Sequence, residues 1–287
     1  MFKRGVITDE ISQDLKEAIE LATRYHLDGI EVRSVWEKSP HEWTLEEVKK
    51  VRSMADDAGL EICGISAPFF KCNLDDPKEV KQHLEILKKS MEAAHILNAP
   101  FIRGFTFWNK GDFDSKFNKI IDQFQKPIEW LEKEDLTLVL EFDPSVYATN
   151  ARKLAKVIAA LNSKYVKGLW DPGNDIYDPD GEVPYPDGYE YIKQYMVHMH
   201  LKDAKIGENG KPAAMPIGDG QVDYKGHFNE LIDSGYNGYV VLETHYRPKH
   251  DLSESLLALP KGSAFSYLGY EATEECLQKW NKLMTSL

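Results

Sequence analysis

The sequence predicts an α/β fold of the (β/α)8 TIM barrel class, in a single domain over residues 1–287, and three observations carry that expectation. Short apolar runs alternate with amphipathic stretches eight times along the chain. No composition shift, linker or low-complexity tract divides it. No Gly-rich GxGxxG or GxxxxGKS turn follows any apolar run, which disfavours the competing doubly wound sheet. A length of 287 residues suits one such barrel, which commonly takes about 250 residues or more.

The first unit is KRGVITDEI, apolar and then acidic, followed by DLKEAIELATRYH, whose Leu15, Ile19 and Ala22 recur at helical spacing. Gly29 to Ser34 opens the second, and its helix carries a capping-box pattern at Thr44 and Glu47 and a glycine stop at Gly59. LEICGIS precedes a third helix with Pro77 at the first helical position. PFIRGFTFW and the run from Asp114 to Lys133 form the fourth unit; LTLVLEF and NARKLAKVIAAL form the fifth. VKGLW leads through a turn-rich loop to a short helix near Asp187 to Tyr195, and MVHMHLK to DYKGHFNELIDSGY. GYVVLE and a final helix from about Ala272 to Leu287 close the series. Two long connections, Asp171 to Gly188 and Thr244 to Glu271, are rich in Pro, Gly, Asp and Tyr and are expected to cover the barrel mouth.

Four strands end in residues able to hold a metal. LTLVLEFDP ends on Glu141, VKGLWDPGN on Asp171 and GYVVLETHY on Glu243, while VHMHLKDA sets His198, His200 and Lys202 on one face by strand alternation. In a parallel barrel Glu141, Asp171, His200 and Glu243 converge at the mouth, where barrel enzymes keep their sites. Three carboxylates so close repel one another unless a divalent cation lies between them. The oxygen-rich set favours Mn2+, Mg2+ or Co2+, with Zn2+ also possible.

The formal charge of −12 argues against binding a phosphate backbone by bulk electrostatics, so a small molecule rather than nucleic acid is the expected partner. No apolar run approaches the roughly 20 residues of a membrane span and the N-terminus lacks a signal-like stretch, so a soluble cytoplasmic protein is expected, free or as a homo-oligomer. Cys63, Cys72 and Cys276 lack any CxxC pair and read as plain thiols.

LVLEF, LWDPGN, HMHLKDA, GDGQVDY and VVLETHY, in this order and spacing, resemble the sugar isomerase/epimerase group of the xylose isomerase-like barrels, of the D-tagatose 3-epimerase type. The resemblance implies one divalent metal on Glu141, Asp171, His200 and Glu243. It also implies Glu141 and Glu243 alternating as base and acid beside a ketose carbonyl, with a sugar or sugar derivative as substrate. Asn174 stands where several members have a histidine that touches substrate, and an asparagine still donates a hydrogen bond but shuttles no proton.

The remaining candidates keep their alternatives open. Arg103 either binds substrate or pairs with Glu31 inside the barrel. Lys202 contacts a substrate hydroxyl or carboxylate, or is solvated. His198, one layer below His200, either touches substrate or supports the site from beneath. Trp36, Phe69, Phe70 and Trp108 either form a wall for the sugar or simply pack. Arg247, Lys249 and Lys261 are candidates for a phosphate or carboxylate. The runner-up function is a metal-dependent dehydratase of a keto-polyol or related acid, since it begins with the same proton abstraction. A non-catalytic sugar-binding barrel ranks below it. An abasic-site endonuclease ranks lowest, because Ser66 and Asn174 stand where that chemistry needs histidines.

Overall fold

The structure, a computed structural model, describes residues 1–249 and 251–287. The chain runs β1 (Lys3–Ile7), α1 (Thr8–Ile11), α2 (Leu15–Arg24), β2 (Gly29–Val32), α3 (Leu45–Asp57) and β3 (Glu61–Phe69). It continues with α4 (Pro77–Leu97), β4 (Phe101–Gly104), α5 (Phe113–Glu134), β5 (Thr137–Glu141), α6 (Ala151–Leu161) and β6 (Val166–Trp170). After α7 (Pro172–Asp175) and α8 (Tyr189–Ile192) come β7 (Met196–Leu201), a hairpin of β8 (Asp203–Ile206) and β9 (Pro212–Met215), α9 (Tyr224–Asp233) and β10 (Tyr239–Leu242). Helices α10 (Glu254–Ala258), α11 (Gly262–Ser266) and α12 (Gly269–Thr285) end the chain.

Eight strands close into a parallel barrel in the order β1-β10-β7-β6-β5-β4-β3-β2, so the predicted architecture holds. Local chemistry sets the helix ends as expected. Thr44 and Glu47 exchange both capping-box bonds at the start of α3, and beyond its end Gly59 takes φ +69°, which lets the Leu60 N–H reach the Ala55 carbonyl at 3.0 Å. Pro77 leads α4 behind an Asp76 cap.

Some boundaries differ from expectation. The last helix starts at Gly269 rather than Ala272, and the expected helix from Asp187 to Tyr195 is regular α only over Tyr189–Ile192. A hairpin stands where the sequence reads as a loop: Asn209-Gly210, with Gly210 at φ +72°, turns β8 back on β9. The final connection reaches over the mouth. It ties Ser263 to Glu37, Ser266 to Gln13, the Ala258 carbonyl to Lys71 and the Phe265 carbonyl to Arg247. Among the described residues no helix is long and apolar enough to cross a membrane.

Inside the barrel, Ile7, Cys63, Tyr239 and Val241 pack an apolar floor, and the side chains above them become polar toward the strands' C-terminal ends. A cavity of about 800 Å3 bounded by Arg52, Glu61, His95 and Tyr239 lies at the other, N-terminal end. That face of a barrel serves stability rather than chemistry.

Candidate active site

Alternation along β5, β6, β7 and β10 turns Glu141, Asp171, His200 and Glu243 inward at adjoining strand ends. One ligand atom from each lies within 4.8 Å of the others, and all four residues are buried. Asp171 also caps α7, accepting from the Gly173 N–H at 3.0 Å, which fixes its carboxylate. Only glycine fits at 173, because a Cβ there would stand 2.4 Å from the Lys202 carbonyl.

A support lies one layer below. Glu31 on β2 takes His198 Nε2 at 2.6 Å and His200 Nε2 at 3.1 Å, and Ser66 donates to its other oxygen. Holding Nε2 on Glu31 leaves Nδ1 of His200 aimed at Glu141 and Glu243, 3.6 and 3.5 Å away. Burial disfavours the Glu31 carboxylate, but His200 and His198 outweigh it and keep its pKa well below the usual range.

Cations thread between the carboxylates. Arg103 reaches Glu141 at 3.0 Å, and Lys202 reaches Asp171 at 2.6 Å and Glu243 at 2.8 Å. Arg33 bridges Asp9 at 2.9 Å, Glu10 at 2.6 Å and Glu243 at 2.6 Å, while Arg247 holds Glu10 at 3.4 Å. His245 stands 3.5 Å from both Glu10 and Glu243. Burial pushes the Asp171 carboxyl up to about 7 despite Lys202. At Glu243 burial acts the same way, but Lys202 and His245 more than offset it and hold that carboxyl well below its usual value. Burial opposes an imidazolium at His200, yet Glu31 and the two mouth glutamates outweigh it and raise its pKa. The site is a place built for positive charge.

The structure places the other sequence candidates as follows. Arg103 does not pair with Glu31: its long stem lifts the guanidinium to the layer of Glu141, while Glu31 is taken by the two histidines. Lys202 is buried between two carboxylates, not solvated. His198 lies under His200 against Glu31 and Phe101, which puts it beneath the site rather than against a substrate. Asn174 donates to Glu141 at 3.1 Å and to the Phe142 carbonyl at 2.9 Å, so its amide orients the glutamate. Phe69 cannot form a substrate wall. Alternation from inward Ser66 turns it outward, where it stacks on Phe70 and meets Phe124 of α5. Trp108 is half-buried at the rim with Lys71 5.7 Å over its ring, and Trp36 packs toward Trp43. Arg247 is committed to Glu10, and Lys261 to Glu42.

Sequence reasoning passed over Asp9, Glu10, Arg33, Lys71 and Asp143. Their signal is the one used for the four ligands, a charged residue just past an apolar run: ITDE, EVR, FFK and EFD.

The cluster fits a metal ion on an observation of its own. His200 Nδ1 is buried without a hydrogen-bond partner and faces three carboxylates, which favour positive charge at that nitrogen; a cation there takes the place of a proton and receives the ring's lone pair. Two overlapping groups, Glu31 with both histidines and Glu10 with Glu243 and His245, also bring ligand atoms together. The first group is the support under His200. In the second, Glu10 is already held by Arg33 and Arg247.

A closed parallel barrel with a buried carboxylate and imidazole cluster at the C-terminal ends of its strands defines a class of barrel protein able to hold a divalent metal. The family model for xylose isomerase-like TIM barrels matches residues 19–262, and the chain belongs to that family. It is 23% identical over 237 residues to an L-ribulose-5-phosphate 3-epimerase of Escherichia coli, covering 79% of this chain and 81% of that one. Among solved structures it is similar to the D-psicose 3-epimerase of Clostridium cellulolyticum with D-tagatose, at TM-score 0.73 and 15% identity over 99% of both chains. It also resembles the IOLI protein with a bound zinc atom, at TM-score 0.75 and 15% identity over 99% of both.

Proposed function

We propose that this chain is a metal-dependent sugar epimerase that moves a proton on the carbon beside a ketose carbonyl. The carrying observation is that Glu141 and Glu243, on strands with two others between them in the barrel order, both face the His200 and Asp171 side chains from opposite flanks of the cluster. Relatives named as sugar 3-epimerases support the reading. Glu141, Asp171, His200 and Glu243 would hold the cation, with manganese, magnesium or cobalt suited to the oxygen-rich set and zinc also admissible. A cation held there would supply Lewis-acid polarisation of a substrate carbonyl and neighbouring hydroxyl and would offset the negative charge that proton removal creates.

The chain's own residues do the rest. Glu141, ionised and oriented by Arg103 and Asn174, stands on one flank; Glu243, held by Arg33 and Lys202, stands on the other. One removes the proton and the other returns it, and two carboxylates on different sides allow return to the opposite face. A free carboxylate, with a pKa near 4.3, is a weak base toward carbon, so exclusion of water by the closed mouth matters as much as placement.

The test is turnover of ketoses by manganese-loaded protein in deuterated water. Deuterium should enter the carbon beside the carbonyl at unchanged product composition. Glu141→Gln and Glu243→Gln should each lower turnover by about 10²–10⁴-fold. A product lighter by one water would make the chain a dehydratase, and intact turnover in both variants would remove the two-glutamate assignment.

A further inference from the structure

We infer, resting on the epimerase reading above, that the sugar accepted at this site is unphosphorylated. Among the described residues, every lysine and arginine buried at the mouth already lies within 3.4 Å of a carboxylate: Arg33, Arg103, Lys202 and Arg247 around the cluster, and Lys71 farther out. Lys71 marks the outer end of the site. Its ammonium sits 4.3 Å over the Phe105 ring, and the Arg103 guanidinium lies 4.9 Å from that same ring, so one aromatic links the rim to the carboxylate cluster. This outermost cation is taken by Asp143 at 2.8 Å and by the Ala258 carbonyl at 2.9 Å under the covering segment. A phosphate placed there would meet the Asp143 carboxylate, which already holds the Lys71 ammonium at 2.8 Å. Two anions sharing one ammonium repel, and desolvating a dianion without a free partner is costly.

A second, independent observation agrees. The GDGQV turn just after β9 offers the run of backbone N–H groups that cradle phosphates elsewhere. Here that cradle is filled from within. Asp203, next in sequence to Lys202, accepts from Gly218 at 2.9 Å, Gly220 at 3.0 Å and Val222 at 3.4 Å. A Cβ at 220 would stand 2.0 Å from the Asp203 carboxylate, so the nest and its internal anion are closely fitted. The outer subsite therefore presents a paired ammonium and carboxylate, a donor and an acceptor suited to neutral hydroxyls.

The experiment is calorimetric binding to the manganese-loaded full chain, comparing L-ribulose with L-ribulose 5-phosphate, with D-tagatose as a longer neutral ketose. The neutral ketoses should bind at least about tenfold more tightly than the phosphate ester. Equal or tighter binding of the ester overturns the inference, and so does failure of all three to bind. Asp143→Asn, which frees Lys71, should narrow or reverse the gap; an unchanged gap would show that this pair is not the selecting element. Deuterium exchange on the same ketoses separates the two readings. Binding in the expected order without exchange leaves the substrate class standing and removes the epimerase assignment.

Discussion

Single atoms decide what the centre can do, and Nδ1 of His200 is the clearest of them. Its availability depends on Glu31, which takes Nε2, and Glu31 is in turn kept ionised by the pair of histidines. Glu31→Gln weakens that hold and should lower metal affinity by about 10–100-fold while leaving the four direct ligands in place. Titration of manganese into the variant, followed by calorimetry, reads this directly; unchanged affinity would mean that packing alone orients the ring. Asp171 shows the same economy, since one carboxylate both caps α7 and faces the cluster.

At the scale of elements, the loops carrying the ligands are braced from outside the barrel. Trp170 at the end of β6, next to Asp171, donates its indole N–H to His227 of α9 at 2.8 Å. Burial lowers the His227 pKa to about 3, so the ring is neutral in the folded chain and accepts that bond. In the unfolded chain it protonates near 6.5. Its contribution to stability is thus complete above about pH 6.5 and is lost as pH falls toward 3, because there the unfolded state binds the proton and the folded state does not. The slope for one such group approaches about 1.4 kcal/mol per pH unit. Between pH 6.5 and 5 the wild type should lose about 2 kcal/mol more stability in urea unfolding than His227→Gln, whose side chain does not titrate. Parallel acid limbs would show that His227 is not the titrating group.

For the molecule as a whole, the arrangement of charge governs stability and access. Arg103, Lys202 and Arg33 already answer the ligand carboxylates, so the chain is expected to fold without metal, contrary to what three crowded carboxylates alone suggest. A cation bound only by the native state still adds about 2.7 kcal/mol at a hundredfold excess over its Kd. That corresponds to a rise in Tm of about 4–5 °C for a chain of this length, whose unfolding entropy is about 2.1 cal/mol/K per residue. Melting curves in manganese and in chelator should differ accordingly; coincident curves on protein shown to take up metal would count against a native-state site. The four ligands are almost wholly buried, and the Ala258 and Phe265 carbonyls of the final connection are tied to Lys71 and Arg247 beside them.

The barrel itself was legible in the amino-acid order, because eight alternations of apolar run and amphipathic helix depend on local periodicity, and Thr44, Gly59 and Pro77 act within a few residues of where they stand. The inward face of each ligand strand followed from alternation in the same way. Partnership was a different matter. Arg103 pairing with Glu141 instead of Glu31, Lys202 buried between two carboxylates and Asp203 filling the GDG turn all join residues that lie apart in the chain. Side-chain reach and register across neighbouring strands set those contacts. Local sequence carries residue type and facing, while the identity of the nearest opposite charge is a property of the closed barrel, in which side chains from several strands share one mouth.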